Sequence, residues 1–274
     1  MVTERDYDRE AVEAARSVLV ELMRVLGEYR KDIVLVGGGV PELICPEPET
    51  AHVGTMDVDL ALDHRRLTQA GYATLQQLLL QSGYKQGGQL FSFYREVKTV
   101  GGKMKVGVHF LAAEYAGTAS GEQTQQIQDI RAFKARGADL AFESPVEVTV
   151  KAELPEGGTD SVTVRVASVV PFLVMKAMAM DGRRKEKDAY DICYCLRNFP
   201  GGVDAVVAAF EPHLQHGLVQ DGLSRLANRF DSVTSVGPTH VANFLGVTDQ
   251  EERERIRRDA FELVQHLLRE LGLR

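Results

Sequence analysis

Ile33-Val34-Leu35-Val36 is a wholly apolar run, partly β-branched, that ends on Gly37-Gly38-Gly39. A run so short and so apolar predicts a buried strand, and the glycines predict a tight turn at its end. The next regular stretch alternates. Met56, Val58 and Leu60 stand against Asp57 and Asp59, which predicts a second strand over 56–62 with two carboxylates on one face. Between the two, Val40 to Ile44 predicts a short helix with Pro41 in its first turn, where a missing N–H costs least. Cys45 to Gly54, with two prolines, predicts a loop.

Before this core, residues 7–29 repeat Val12, Ala15, Val18, Leu19, Leu22, Met23 and Leu26 at helical spacing, and Gly27 closes the segment. After it, the pattern predicts a helix over 66–82, a strand pair over 90–97 and 103–111, and a hairpin of 146–154 with 161–167 around Pro155-Glu156-Gly157-Gly158. From Ser168 onward the periodicity is helical, over 169–182, 185–198, 202–210, 213–229 and 249–272. The chain therefore reads as mixed α/β (α+β) over residues 1–167 and all helix over 168–274.

Composition narrows the class. At 274 residues, 44% hydrophobic and 26% charged, the chain can bury a core and is neither fibrous nor disordered. The net charge of −7 argues against broad nucleic-acid binding but leaves room for a local basic patch. The longest apolar run, Val169 to Ala177, is interrupted by Pro171 and Lys176 and falls far short of the ~20 residues that cross a bilayer. The amino terminus lacks the basic-then-apolar order of a signal peptide, so a cytoplasmic location is expected. Three cysteines are too few for a disulfide framework, and Cys193-x-Cys195 has no second pair for a tetrahedral zinc site.

Asp57 and Asp59 carry the chemistry. Two carboxylates side by side on a strand resist joint ionisation unless a cation joins them, and a hard divalent ion such as Mg²⁺ suits them while keeping positions open for phosphates. Glycines at a turn into a helix let a triphosphate approach backbone N–H groups. Taken in order, strand, Gly-Gly, short helix, loop and Asp-x-Asp strand resemble the nucleotidyltransferase superfamily of polymerase-β type. A second block, Lys176-Ala177-Met178-Ala179-Met180 with Arg183 and then Lys187-Asp188-Ala189-Tyr190-Asp191-Ile192, resembles the helical segment of AbiEii-type nucleotidyltransferases, toxins of type IV toxin–antitoxin pairs.

The resemblance implies a nucleotidyltransferase-like small mixed sheet flanked by helices, with the helical C-terminal region completing a cleft. It implies transfer of a nucleoside monophosphate from an NTP to an acceptor hydroxyl, with an RNA such as the 3′ end of tRNA as acceptor and a cognate antitoxin as partner. Asp57 and Asp59 would bind Mg²⁺; Gly37, Gly38, Gly39, Thr55, Lys176 and Arg183 would hold the nucleotide. Lys176, inside an apolar run, must reach a water-filled edge or an anion. Asp188 and Asp191 share a helix face, with Asp191 the favoured site residue. Arg184 with Asp188, and Lys187 with Asp191, are also spaced as surface ion pairs worth about 0.3–0.5 kcal/mol each. Two departures stand out. Where the superfamily often has a third carboxylate, the strand Lys105 to Leu111 offers His109, either a structural histidine or a general base. Val53 stands where the family commonly has Arg. A degenerate member that binds nucleotide or a protein without turnover, and a transferase acting on a drug or sugar hydroxyl, are the alternatives.

Overall fold

The computed structural model describes residues 2–114, 122–183 and 185–273. The chain divides into two compact units: a sheet unit of Asp8–Val40 with Gly54–Ser168, and a helical unit of Met1–Tyr7, Pro41–Val53 and Val169–Arg274.

In the sheet unit, helix α1 (Arg9–Val25) starts at Asp8, whose carboxylate accepts the Glu10 N–H at 3.3 Å. Its buried stripe of Ala14, Val18, Leu19 and Leu22 lies on the sheet. Strand β1 (Ile33–Val36) is buried at every residue, as its apolar composition demands. It runs antiparallel to β2 (Asp57–Leu62) and parallel to β9 (Thr159–Val166). After the glycine turn comes short helix α2 (Val40–Ile44), which from Pro41 onward belongs to the helical unit. Strand β2 then pairs in parallel with β5 (Gly102–Ala113), which forms a hairpin with β4 (Ser92–Thr99). Short β3 (Lys85–Gln86) borders β4, and β8 (Val146–Glu153) borders β9. Strand β7 (Ile130–Ala135) continues beside β5 and pairs with β6 (Thr124–Ile127). Val58 and Leu60 of β2 and Val106, Val108 and Phe110 of β5 are buried. Strand alternation puts Asp57, Asp59, Gly107 and His109 on the opposite side.

The helical unit holds α4 (Val169–Gly182), α5 (Glu186–Asn198), α6 (Gly202–Phe210), α7 (Gly217–Arg229), α8 (Val236–Phe244) and α9 (Gln250–Glu270). Helix α4 is apolar nearly all round because α5, α6 and α7 pack on it. No helix among the described residues is long and apolar enough to cross a membrane.

Several elements differ from the sequence reading, short β3 among them. Of the helix expected over 66–82, only α3 (Leu75–Gln81) forms. Thr74 starts it, its hydroxyl accepting the Gln77 N–H at 3.3 Å while Gln77 accepts the Thr74 N–H at 3.1 Å, and this reciprocal cap fixes the first turn there. The β6–β7 pair is absent from the reading, because Thr124–Ile127 offers one apolar residue in four and no period of two. Helix α8 is also absent from it. Gly237 and Pro238, helix breakers in an interior, fall in its first turn, where no intrahelical N–H bond is lost.

Candidate active site

The pleat of β2 sets the first constellation. Asp57 lies across from Gly107 of β5, Asp59 lies across from His109, and Asp59 is also paired with Val36 at the end of β1. His109 Nδ1 stands 3.0 Å from Asp59 Oδ1. An ionised carboxylate only accepts, so Nδ1 carries the proton toward Asp59 and Nε2 is the nitrogen left to face away from it.

Both carboxylates are seated on glycines. A Cβ at Gly107 would stand 2.5 Å from Asp57 Oδ1 and 3.4 Å from His109 Nε2, so only glycine leaves room for the two groups together. Gly37 is left-handed, with φ of +74°, and a Cβ there would collide with the Asp59 carboxylate. The left-handed backbone and the Asp59 carboxylate together require glycine at 37. The three glycines form one 3₁₀ turn, Gly37–Gly39, leading straight into α2. Thr55 lies just before the strand, and its hydroxyl donates to the Asp57 carbonyl at 3.2 Å.

Asp57 and Asp59 are the side chains of this face that could hold a hard cation. Among the described residues no group of three or more His, Cys, Asp and Glu side chains is placed to hold a metal ion, so an ion here would rest on the aspartate pair alone. Two carboxylates with an open remainder are what Mg²⁺ takes when phosphates and water complete its shell.

A second constellation lies wholly in the helical unit. Lys176 of α4 is buried, and its ammonium donates to Asp188 Oδ1 at 2.8 Å and Asp191 Oδ2 at 2.6 Å. Arg183 donates to the two Asp188 oxygens at 2.9 and 3.0 Å. Asp191 also accepts from Lys187 at 2.7 Å and lies 2.9 Å from His52 Nε2. His52 sits against the rings of Tyr190 and Tyr194, and Lys187 lies over the Tyr7 ring at 5.3 Å.

Electrostatics follow from this burial. Desolvation raises the carboxyl of Asp191, but Lys176 and Lys187 outweigh it and hold Asp191 well below the usual carboxylate range. Desolvation likewise opposes the charge on Lys176, yet Asp188 and Asp191 hold its pKa above the ordinary lysine value. For Lys187 desolvation wins over Asp191 and is joined by repulsion from Lys176, so its pKa falls to about 8.

A family model described as "Nucleotidyl transferase AbiEii toxin, Type IV TA system" matches residues 24–273. The chain belongs to the AbiEii family. No curated protein and no solved structure matches it. As an AbiEii chain the protein is a nucleotidyl transferase of the type IV toxin–antitoxin setting, with an antitoxin as its implied counterpart.

Against the sequence reading of this AbiEii chain, Asp57, Asp59 and His109 come together on one face of the sheet unit. Lys176, Arg183, Asp188 and Asp191 come together in the helical unit. The anion that the misplaced lysine required is the chain's own pair of aspartates, and both aspartates join. Lys187 and Asp191, spaced as a surface ion pair, are buried instead, because α5 is enclosed by α4, α8 and α9; Arg184 lies outside the described residues. His52 escapes sequence reasoning altogether. It sits in an irregular segment with no period, and nothing local marks it as the partner of a residue 139 positions away.

His52 carries a testable pH dependence. Burial lowers its pKa more than the bond to Asp191 raises it, so the ring is neutral and donates Nε2–H. Its folded value lies below the ordinary 6.5, so the unfolded chain takes up a proton that the folded chain refuses. Stability present above that pH is therefore lost as the pH falls below it. Urea unfolding should show a midpoint that drops below about pH 6.5 in the wild type and a flatter profile in His52→Gln, which cannot titrate. Parallel profiles would remove His52 as the cause.

Proposed function

We propose that the protein transfers a nucleoside monophosphate from an NTP to an acceptor hydroxyl, with an RNA 3′ end as the acceptor. The observation that carries the reading is the Asp57 and Asp59 pair, seated on Gly107 and Gly37 with His109 bonded to Asp59. Asp57 and Asp59 would hold Mg²⁺. Bound there, the ion would offset charge that builds up on the triphosphate during transfer. His109, with Nδ1–H held by Asp59, presents Nε2 as the general base that takes the acceptor proton. The acceptor oxygen forms a bond to the α-phosphorus as the bond to the leaving oxygen breaks, and pyrophosphate departs.

Gly37, Gly38, Gly39 and Thr55 border Asp59 and Asp57 and are read as the nucleotide's floor. In the helical unit, the Arg183 side chain is 53% exposed while Lys176 is buried, so Lys176 is read as the anchor that fixes Asp188 and Asp191. Asp191, saturated by its donors, positions Lys176 rather than taking a proton.

Incubation with α-labelled NTPs, Mg²⁺ and total RNA tests the reading. Label appearing in RNA, and lost with chelator, is the expected result. Nucleotide binding with no transfer to RNA, protein or small-molecule hydroxyls would make the chain a binding protein instead.

A further inference from the structure

The β4–β5 hairpin carries a concentration of positive charge that the transfer site does not use. Strands β4 and β5 pair from Ser92 with His109 out to Thr99 with Gly102, whereas β2 meets β5 only from Gly107 onward. Residues 102–106 of β5 thus form an arm that extends past Asp57. On the arm, alternation from His109 through Gly107 puts Lys105 and Lys103 on the carboxylate side of the sheet, and their cross-strand partners Glu96 and Lys98 share that side. Lys98, Lys103 and Lys105 are exposed.

Two features set these lysines apart from ordinary surface charge. Lys98 and Lys103 are directly opposite each other, an arrangement of like charges that destabilises a strand pair. No carboxylate lies within ion-pairing distance of Lys98, Lys103 or Lys105 among the described residues, while Glu96 is engaged by Lys85 at 3.4 Å. Lys105 and Lys85 are also held over the Tyr94 ring, at 4.7 and 5.9 Å, which fixes both stems on the same face. In a chain of net charge −7 such a cluster is a local exception.

We propose that the carboxylate-side face of the β4–β5 arm, through Lys98, Lys103 and Lys105, seats the phosphate backbone of a polynucleotide acceptor whose end lies at Asp57 and Asp59. This rests on the transfer reading above and adds to it the surface that selects a polymer over a small hydroxyl compound. Lys103 and Lys105, two residues apart on one strand, stand about 6.6 Å from each other, a separation comparable with that of successive phosphates in an extended strand. An anion between Lys98 and Lys103 relieves their repulsion, so the arm gains from binding what it loses when bare. Lysines also guard bare strand edges against pairing with other chains, and among the described residues this portion of β5 pairs with β4 alone; the test separates that role.

The experiment is a titration of a 3′-labelled oligoribonucleotide with the full chain at several salt concentrations, wild type against the triple variant Lys98→Gln, Lys103→Gln, Lys105→Gln. Loss of three phosphate contacts should weaken binding about 10- to 100-fold at low salt and flatten the slope of log affinity against log salt by about 2. The thermal midpoint should stay level or rise, since a like-charge pair is gone. Equal affinity and slope in both proteins would overturn the proposal and leave the lysines as an edge guard. Competition by polyglutamate as effective as by RNA would overturn it in favour of an acidic protein, and no RNA affinity in the wild type would overturn it outright. The transfer reading is judged separately, by whether Asp57→Asn and Asp59→Asn stop label transfer to any acceptor.

Discussion

Asp57→Asn and Asp59→Asn are each expected to lower nucleotidyl transfer by at least about 10²–10³-fold with no comparable loss of stability. Both side chains are half-buried on the side of β2 opposite its buried valine and leucine, and asparagine keeps their size, so the strand is undisturbed. What changes is charge: an amide holds a divalent cation far less well than a carboxylate, and at 59 it is also a weaker acceptor for His109 Nδ1–H. The double variant should be little worse than either single one, because two groups that share one ion fail as a unit. Label-transfer rates beside circular dichroism melts decide the matter. Rates near wild type in both variants would remove the cation site and with it the proposed reaction.

The second large effect is on folding. Asp191→Asn should cost about 3–5 kcal/mol of stability, because it leaves Lys176 and Lys187 buried beside a neutral amide whose N–H₂ faces their donors. Lys176→Met should be costly as well but less so, since Asp188 keeps Arg183 and Asp191 keeps Lys187 and His52. Urea titration at neutral pH gives both numbers. If Lys176→Met leaves the unfolding midpoint unchanged while nucleotide use collapses, Lys176 is a phosphate contact and not an anchor.

These two outcomes differ because the two constellations differ in how much they depend on the rest of the protein. The aspartate pair is a local matter. A period of two places Asp57 and Asp59 on one face, and the same alternation read along Lys105 to Leu111 finds His109, so the residues on the sheet were legible once the strands were. Glycine at 37 was legible as a turn, but its cause was not, since the Asp59 carboxylate that excludes a Cβ lies 22 residues on. The helical cluster is the opposite case. Lys176 betrayed itself as a charge in an apolar run, and spacing put Asp188 and Asp191 on one face. Which of them it meets, that it meets both, and that His52 closes the far side depend on how α4, α5 and the 45–54 segment are packed.

What the sequence alone determined, then, is each periodicity and its consequence: a sheet with an acidic face, a run of helices after Ser168, and the two motif blocks of the AbiEii family. Tertiary structure alone decided which charges share a low-dielectric space. Spacing along a chain specifies direction, whereas the loss of water that turns a weak surface pair into an obligatory one is set by what covers it, and the covering residues come from distant segments.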